Sequence, residues 1–281
     1  MAITRKFSID RTRSGEYLVD ALARDLSCSK KLAKRLLDER KVFVNDRRIW
    51  MAKHLLKPGD KVEVQGFEDT LQEVDLPVIF KNQDYLVIAK PEGVTSDGEG
   101  SAETQLREQL HQKALRAVHR LDRDTTGCLL FALNEDARQR AITEFKAKNV
   151  KKLYLVIVMG DMPARFGRVT TRIDGKPAET VFTLLDRSKS GALLQAELLT
   201  GRMHQIRRHL GTLGVSVAGD KQYRGRSPAS RFERRVLRQM LHAWHLELPA
   251  LEICASARPP DDFIELAAQL KLRCPSRVMS S

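Results

Sequence analysis

Residues 119–127 read His119-Arg120-Leu121-Asp122-Arg123-Asp124-Thr125-Thr126-Gly127, and an apolar run over 128–133 follows at once. A Thr-Thr-Gly turn followed by such a run predicts a loop that feeds a buried strand. Asp122 stands among His119, Arg120 and Arg123, and nearby positive charge favours the ionised form of a carboxyl. An ionised carboxylate can act as a nucleophile or a base. In isolation the pattern is usually a solvated charge cluster in front of a strand, so the flanking sequence has to decide.

Upstream, residues 78–80, a turn at 81–84 and residues 85–89 predict paired strands that lead to Lys90-Pro91-Glu92-Gly93. Downstream, Asn134 is a good N-cap for a helix with Glu135 and Asp136 in its first turn and Ala137, Ala141 and Phe145 along one face. Residues 153–158, 181–185 and 193–199 read as further strands. Strands outnumber helices and do not alternate regularly with them, which predicts a mixed sheet of α+β type rather than a doubly wound fold.

Residues 10–64 read as a separate helical module closed by short strands. Tyr17, Leu18, Ala21, Leu22 and Leu26 recur at helical spacing, and Leu32, Ala33, Leu36 and Leu37 follow after the N-cap candidates Ser27 and Ser29. On the second helix Lys30 and Lys34, and Lys31 and Arg35, are i,i+4 pairs that put four positive charges on one flank. Residues 41–44, an Asn45-Asp46 turn and residues 47–49 predict a hairpin, and Pro58-Gly59-Asp60 introduces a closing strand with Val62 and Val64. The polar, acidic residues 65–76 read as a linker to a second domain over 77–275.

The chain has 281 residues and a net charge of +13. Residues 1–64 hold 16 Lys and Arg against 9 Asp and Glu, residues 65–118 hold 5 against 10, and residues 119–281 hold 28 against 17. Two basic ends around an acidic middle favour a polyanionic partner, nucleic acid or an anionic membrane surface. No run reaches the roughly 18 apolar residues that span a bilayer, and the start Met-Ala-Ile-Thr-Arg-Lys is unlike a signal peptide, so the expectation is a soluble, cytoplasmic protein. Cys28, Cys128, Cys254 and Cys274 are scattered without a C-x-x-C pair, which predicts reduced thiols and no metal. His204 and His209 are five apart and would leave a helix on different sides, so they read as structural or RNA-facing rather than as a metal pair.

The stretch 119–127 closely resembles the signature of the RNA pseudouridine synthases of the large-ribosomal-subunit uridine type, the RluA family, with Thr126 where serine is usual. Three further segments resemble that family in order: residues 84–94 around Lys90-Pro91-Glu92-Gly93, residues 151–158 around Tyr154, and Thr200-Gly201-Arg202-Met203-His204-Gln205-Ile206-Arg207. Met203 replaces a usual threonine. Gly175-Lys176-Pro177-Ala178-Glu179-Thr180 and Leu241-His242-Ala243 fit later stretches, so the resemblance covers about residues 78–265. It implies a catalytic domain on a mixed, mostly antiparallel sheet. It also implies Asp122 as nucleophile or base, Tyr154 as the active-site tyrosine against the uracil ring, and Arg207 as the partner of Asp122, with Arg202 as second choice. His119, Arg120, Arg202 and Gln205 are then substrate or RNA contacts. The string 29–46 is similar to the small RNA-binding domain first named from the fourth ribosomal protein of the small subunit, which implies RNA contacts for Lys30, Lys31, Lys34 and Arg35. The loop Lys221-Gln222-Tyr223-Arg224-Gly225-Arg226, with Arg231, Arg234 and Arg235, suits a phosphate-tracking edge or an exposed solubility loop.

The implied reaction breaks the bond from ribose to N1 of uracil, turns the base over and rejoins it through C5. The product is an isomer, so no cofactor is needed, in keeping with a chain that has no P-loop, G-x-G-x-x-G turn or zinc pattern. Attack on the anomeric carbon and removal of a sugar proton are both open routes for Asp122. The expected substrate is RNA, ribosomal before transfer RNA, with no membrane and no obligate protein partner. A non-catalytic RNA-binding or ribosome-assembly protein is the main alternative. A glycoside or nucleoside hydrolase ranks below it, because its second carboxylate would have to be Asp124.

Overall fold

The computed structural model describes residues 3–26, 28, 30–67, 76–159, 167–223 and 235–279. The chain divides into two compact units, residues 1–74 with 98–104, and residues 75–97 with 105–281. Ser27, Ser29 and residues 68–75 of the expected linker lie outside the described residues.

The first unit runs β1 (Ile3–Ser8), α1 (Leu18–Asp25), α2 (Lys30–Asp38), β2 (Val42–Val44), β3 (Arg47–Arg48) and β4 (Lys61–Phe67), and its strands form a sheet of order β1-β4-β2-β3. Leu18, Leu22, Ala33 and Leu37 from the helices meet Val42, Val44, Val62 and Val64 in its core. Asn45 and Asp46 both take positive φ, 48° and 62°, as a two-residue turn between right-twisted strands requires. Asn45 also accepts the Lys61 N–H on Oδ1 at 2.9 Å, tying the turn to β4.

Strands of this module reach past residues 10–64 at both ends. A strand precedes residue 10, since β1 pairs antiparallel with β4, Phe7 opposite Val62. β4 itself runs on to Phe67, so the stretch expected as linker from residue 65 begins as strand. The short, charged ITRKFS carries too little apolar alternation to announce a strand; it is the free edge of β4 that recruits it.

The second unit begins with β5 (Val78–Lys81), β6 (Tyr85–Lys90), α3 (Ala102–Gln109, whose first residues group with the other unit), β7 (Arg116–Ala117), β8 (Thr126–Ala132), α4 (Glu135–Ala147) and β9 (Lys151–Met159). It continues with β10 (Arg168–Val169), β11 (Thr180–Arg187), β12 (Gly191–Leu198), α5 (Gln205–Thr212), β13 (Ser216–Val217), β14 (Leu241–Leu248), β15 (Ile253–Ser256), α6 (Asp261–Gln269) and α7 (Ser276–Met279). The main sheet has the order β10-β11-β12-β9-β14-β8-β6-β5, with β13, β15 and β7 added at its sides. Among the described residues only β8 and β14 pair in parallel, so the sheet is mixed and mostly antiparallel, as expected. Asn134 caps α4 through its side-chain oxygen on the Ala137 N–H at 2.8 Å. Apolar residues cover both faces. Leu153, Leu155 and Ile157 pack with Phe263 and Leu266 in one cluster, while Cys128, Leu130, Ala137, Ala141 and Leu246 share another. Among the described residues no helix is long and apolar enough to cross a membrane.

Candidate active site

The loop that carries Asp122 is pinned from several directions. Leu121 is buried beneath it, and the Ser96 hydroxyl both accepts the Leu121 N–H at 2.9 Å and donates to the Leu121 carbonyl at 3.1 Å. Lys90, the last residue of β6, is 1 % exposed and donates from Nζ to the carbonyls of Pro91 (2.6 Å), Val94 (2.8 Å) and Arg123 (3.0 Å). Burial pulls its ammonium down to about 7, against a partial offset from Asp124, Glu92 and Asp122. The Thr125 N–H closes a turn onto the Asp122 carbonyl at 3.0 Å, and Arg123 Nε donates to the Gly93 carbonyl at 2.8 Å.

Gly127 then stands opposite Ala243 in the parallel pairing with β14 at φ 109°, and a Cβ there would lie 2.1 Å from the Ala243 carbonyl oxygen. Only glycine lets the two backbones approach so closely. Ala243 in turn stands opposite Tyr154 on β9, so Gly127, Ala243 and Tyr154 form one row across three strands. The sequence separates Asp122 and Tyr154 widely, and the sheet brings them to neighbouring ground.

Arg207 sits in the first turn of α5 and is 7 % exposed. It donates from Nε to Asp220 Oδ2 (2.6 Å), from Nη2 to Asp220 Oδ1 (2.9 Å) and from Nη1 to Asp122 Oδ2 (3.0 Å). Its guanidinium also lies over the Tyr223 ring, 4.9 Å from the centroid. Burial would raise the Asp220 carboxyl, but the Arg207 hydrogen bonds and the N–H groups of Tyr223 and Gln222 outweigh it and hold it below the usual range. Gly219, just before Asp220, has φ 75°, and the Arg238 carbonyl oxygen would be 1.9 Å from a Cβ there. Gln239 Nε2 donates to Thr125 Oγ1 at 2.7 Å and reaches Asp122 Oδ2 at 3.4 Å. Arg238 holds Asp262 through two hydrogen bonds, 2.6 and 2.7 Å, and touches the Asp124 carbonyl at 3.3 Å.

His204 precedes α5 in the left-handed conformation. Its Nε2 stands 3.8 Å from Asp122 Oδ1, and its Nδ1 shares a 2.9 Å hydrogen bond with the Tyr223 hydroxyl. Burial, opposed by Asp122, lowers it below the ordinary histidine value. Tyr154 is 6 % exposed, and burial together with the Asp122 charge pushes its phenol up, so it stays protonated. The site thus offers one carboxylate, partly open at 26 % side-chain exposure, beside a neutral phenol and a neutral imidazole.

Asp122, Arg207 and His204 are brought together, with Tyr154 in electrostatic reach. Other residues expected at the site are engaged elsewhere. His119 accepts the Leu130 N–H on Nε2 at 3.2 Å and stacks on Phe145, 5.3 Å between ring centroids, which ties it to β8 and α4. Gln205 is buried and clamps backbone: it donates to the Glu179 carbonyl (2.8 Å) and Thr180 Oγ1 (2.9 Å) and accepts from Thr200 Oγ1 and the Arg202 N–H. Arg202 donates to the Pro177 carbonyl at 3.0 Å, which leaves Arg207 as the guanidinium on Asp122. Arg120 is exposed and pairs with Asp97 at 3.1 Å. Met203 is 65 % exposed. His209 is buried between Thr180 Oγ1 and the Thr171 carbonyl, a structural histidine. Asp124 is exposed, and the second carboxylate joined to Asp122 is instead Asp220, through Arg207.

On α2, Lys30 pairs with Asp20 at 2.7 Å and Arg35 with Glu39 at 3.6 Å, while Lys34 is exposed. The side chain of Lys31 lies outside the described residues, as do Arg224, Gly225, Arg226, Arg231 and Arg234; Arg235 is exposed. Among the described residues no three His, Cys, Asp or Glu gather as metal ligands, and the four cysteines are free.

Asp220, Gln239 and Ser96 carry no motif that marks them in advance. A Gly-Asp pair after a short strand reads as an ordinary turn.

Residues 84–212 match the RNA pseudouridylate synthase family. The chain is 31% identical to the ribosomal large subunit pseudouridine synthase D of Yersinia pestis, over 94% of each chain. It is 30% identical to the ribosomal large subunit pseudouridine synthase C of Vibrio parahaemolyticus, over 76% of this chain and 78% of the relative. Among solved structures, Human RNA Pseudouridylate Synthase Domain Containing 4 superposes with a TM-score of 0.62 at 25% identity, covering 71% of this chain and 95% of that one. Human RNA Pseudouridylate Synthase Domain Containing 1 gives 0.56 at 30% identity, covering 68% and 86%. A mixed, mostly antiparallel sheet, relatives of this identity along most of its length and matching folds lead to one conclusion: the chain belongs to the RNA pseudouridine synthase family.

Proposed function

We propose that this enzyme converts uridine to pseudouridine in ribosomal RNA, in the cytoplasm, with Asp122 as the nucleophile or base. The observation that carries the assignment is the graded exposure along one ion network: Asp220 at 0 %, Arg207 at 8 % and Asp122 at 26 % of their side chains. The inner carboxylate has both oxygens taken by Arg207, and the outer one, partly exposed, keeps Oδ1 turned towards His204 at 3.8 Å. Only Asp122 is therefore open to a nucleotide. Its carboxylate attacks C1′ of the ribose or takes a sugar proton, the N1 bond breaks, and the uracil turns to present C5. C5 then bonds to C1′, which releases the Asp122 carboxylate on the first route or returns the sugar proton on the second; the C5 proton leaves and N1 gains one, so the product is an isomer. Tyr154, apolar and protonated, supplies a wall for the turning ring.

The base has to leave the helical stack first, which costs a few kcal/mol and is least costly in a loop. Arg120, exposed beside Asp122, suits the space it vacates or a neighbouring phosphate. The first unit is the RNA-binding domain, with Lys30, Lys34 and Arg35 towards phosphate; Lys30 and Arg35 keep 74 % and 61 % side-chain exposure despite their ion pairs. The names of the two bacterial relatives support ribosomal RNA as the substrate.

The test is to incubate the protein with RNA from a strain lacking the gene and to map pseudouridine by carbodiimide labelling and primer extension. New stops are expected in ribosomal RNA with the wild type and none with Asp122→Ala, which should still bind RNA. Stops with Asp122→Ala would show that the nucleophile is misassigned.

A further inference from the structure

The first unit carries an apolar strip that its core does not use. Trp50, Met51, Leu55 and Tyr17 are 59 %, 55 %, 54 % and 44 % exposed. They come from two segments laid side by side: Tyr17 bridges Leu55, the Leu18 N–H donates to the His54 carbonyl at 2.8 Å, and the Val19 N–H to the Ala52 carbonyl at 3.2 Å. Within the same stretch Ile49, Ala52 and Leu56 turn inwards onto the core. The outward residues are thus a second face of an ordered segment.

The charge around this strip identifies what it fits. Residues 40–57 hold six Lys and Arg against a single acid, Asp46. The Arg40 guanidinium stands 5.9 Å from the Trp50 ring centroid, and that of Arg48 stands 5.1 Å from the Phe43 ring. Lys53 and Lys57 flank the strip and are exposed. A protein-docking core is depleted of charge. Exposed aromatics interleaved with arginine and lysine match a single nucleic-acid strand, whose bases stack while its phosphates meet the cations.

We infer that Trp50 and its neighbours form a stacking platform for unpaired nucleobases of the RNA substrate, separate from the basic flank of α2. The inference rests on the reading of this chain as an enzyme acting on RNA and adds what its first unit selects: a single-stranded segment beside the structured target.

The chain has two tryptophans, and Trp244 is 7 % exposed, so a full-length Trp244→Phe protein reports on Trp50 alone. Titration with a single-stranded oligouridylate should quench its fluorescence, and a duplex of equal length should quench it far less. Trp50→Ala should weaken binding of the single strand by about tenfold or more, with Trp50→Phe intermediate. Trp50 is exposed, so neither change should alter the melting temperature. Unchanged fluorescence with RNA bound, or equal affinity of Trp50→Ala, would overturn the platform and leave the strip as a protein contact. Pseudouridine formation, measured on the same proteins, separates the two readings. Product without quenching sinks the platform alone. Quenching without product faults the reaction and leaves the platform standing.

Discussion

Asp220 occupies Nε and Nη2 of Arg207, at 2.6 and 2.9 Å, and so leaves Nη1 as the nitrogen that meets Asp122, at 3.0 Å. A guanidinium has a rigid fork, and fixing two of its nitrogens fixes the third. Asp220 therefore acts on the reaction through Arg207, as a positioning residue. Asp220→Asn keeps the shape but offers one acceptor to two donors and leaves a buried cation under-compensated. We expect a loss of about 3 kcal/mol in stability and a fall in the single-turnover rate of about a hundredfold, with RNA affinity unchanged. Rapid-quench kinetics and filter binding separate the two effects. An unaltered rate would mean that Asp122 needs no such orientation.

Arg207→Lys asks a different question of the same network. An ammonium is a point charge without the fork, so it cannot hold Asp220 at two positions and Asp122 at a third. The charge balance survives while the geometry is lost. Melting should shift less than in Asp220→Asn, yet the turnover should fall at least as far. Wild-type turnover in the lysine variant would reduce the role of Arg207 to charge alone.

Lys90 supports the loop from below. Replacing it by methionine keeps the volume of the stem and removes the donor shared by the carbonyls of Pro91, Val94 and Arg123. Unsatisfied buried carbonyls cost on the order of 1–3 kcal/mol each. Residues 119–127 should gain amide exchange and the reaction should slow, both without loss of the α4 and β9 protection. Unchanged exchange in that loop would show that Ser96 and Gln239 suffice to hold it.

Gly127→Ala tests the row that aligns the loop with Tyr154. The added methyl meets the Ala243 carbonyl, and φ 109° is itself strained for alanine. The parallel contact between β8 and β14 should open, costing more than about 3 kcal/mol. Calorimetry reads this directly. A melting temperature equal to the wild type would show that the strands can part without penalty.

The contiguous features are legible in the sequence itself. Turn residues and β-rich runs mark β5, β6, β8, β9, β11 and β12, and the Asn45-Asp46 hairpin follows from the backbone its turn demands. Asp122 and Arg207 stand in readable motifs. Asp220 and Gln239 do not, because their meaning lies in partners brought by the fold, Gln239 being 117 residues from Asp122. The same limit explains His119: beside Asp122 in sequence, it turns its ring nitrogen to the Leu130 N–H because β8 folds back past it. Gln205, too, sits in a motif for reasons of backbone clamping that no spacing displays. Nor does any local pattern tell that β14 inserts between β8 and β9.

Below neutral pH the buried histidine of that inserted strand should be one of the groups that set stability. His242 is 1 % exposed, and its Nε2 is 2.8 Å from the Ala257 carbonyl, so that nitrogen carries the proton and Nδ1 accepts from the Thr126 hydroxyl at 2.8 Å. A second proton would turn the Thr126 hydroxyl from donor to acceptor and place a charge in a buried site. Burial accordingly pulls His242 from the ordinary 6.5 down to about 4. The unfolded chain takes up the proton first as pH falls, so its stabilising contribution is complete above about 6.5 and is lost between there and about 4, roughly 3 kcal/mol in all. His119, which burial pulls down to about 3, adds to the slope, as do His209 and His204, lowered in the same sense. Urea denaturation from pH 7.5 to 4.5 should therefore show steadily falling stability, and His242→Gln, less stable at pH 7.5, should show a flatter profile. Identical slopes for the two proteins would place the titrating group elsewhere.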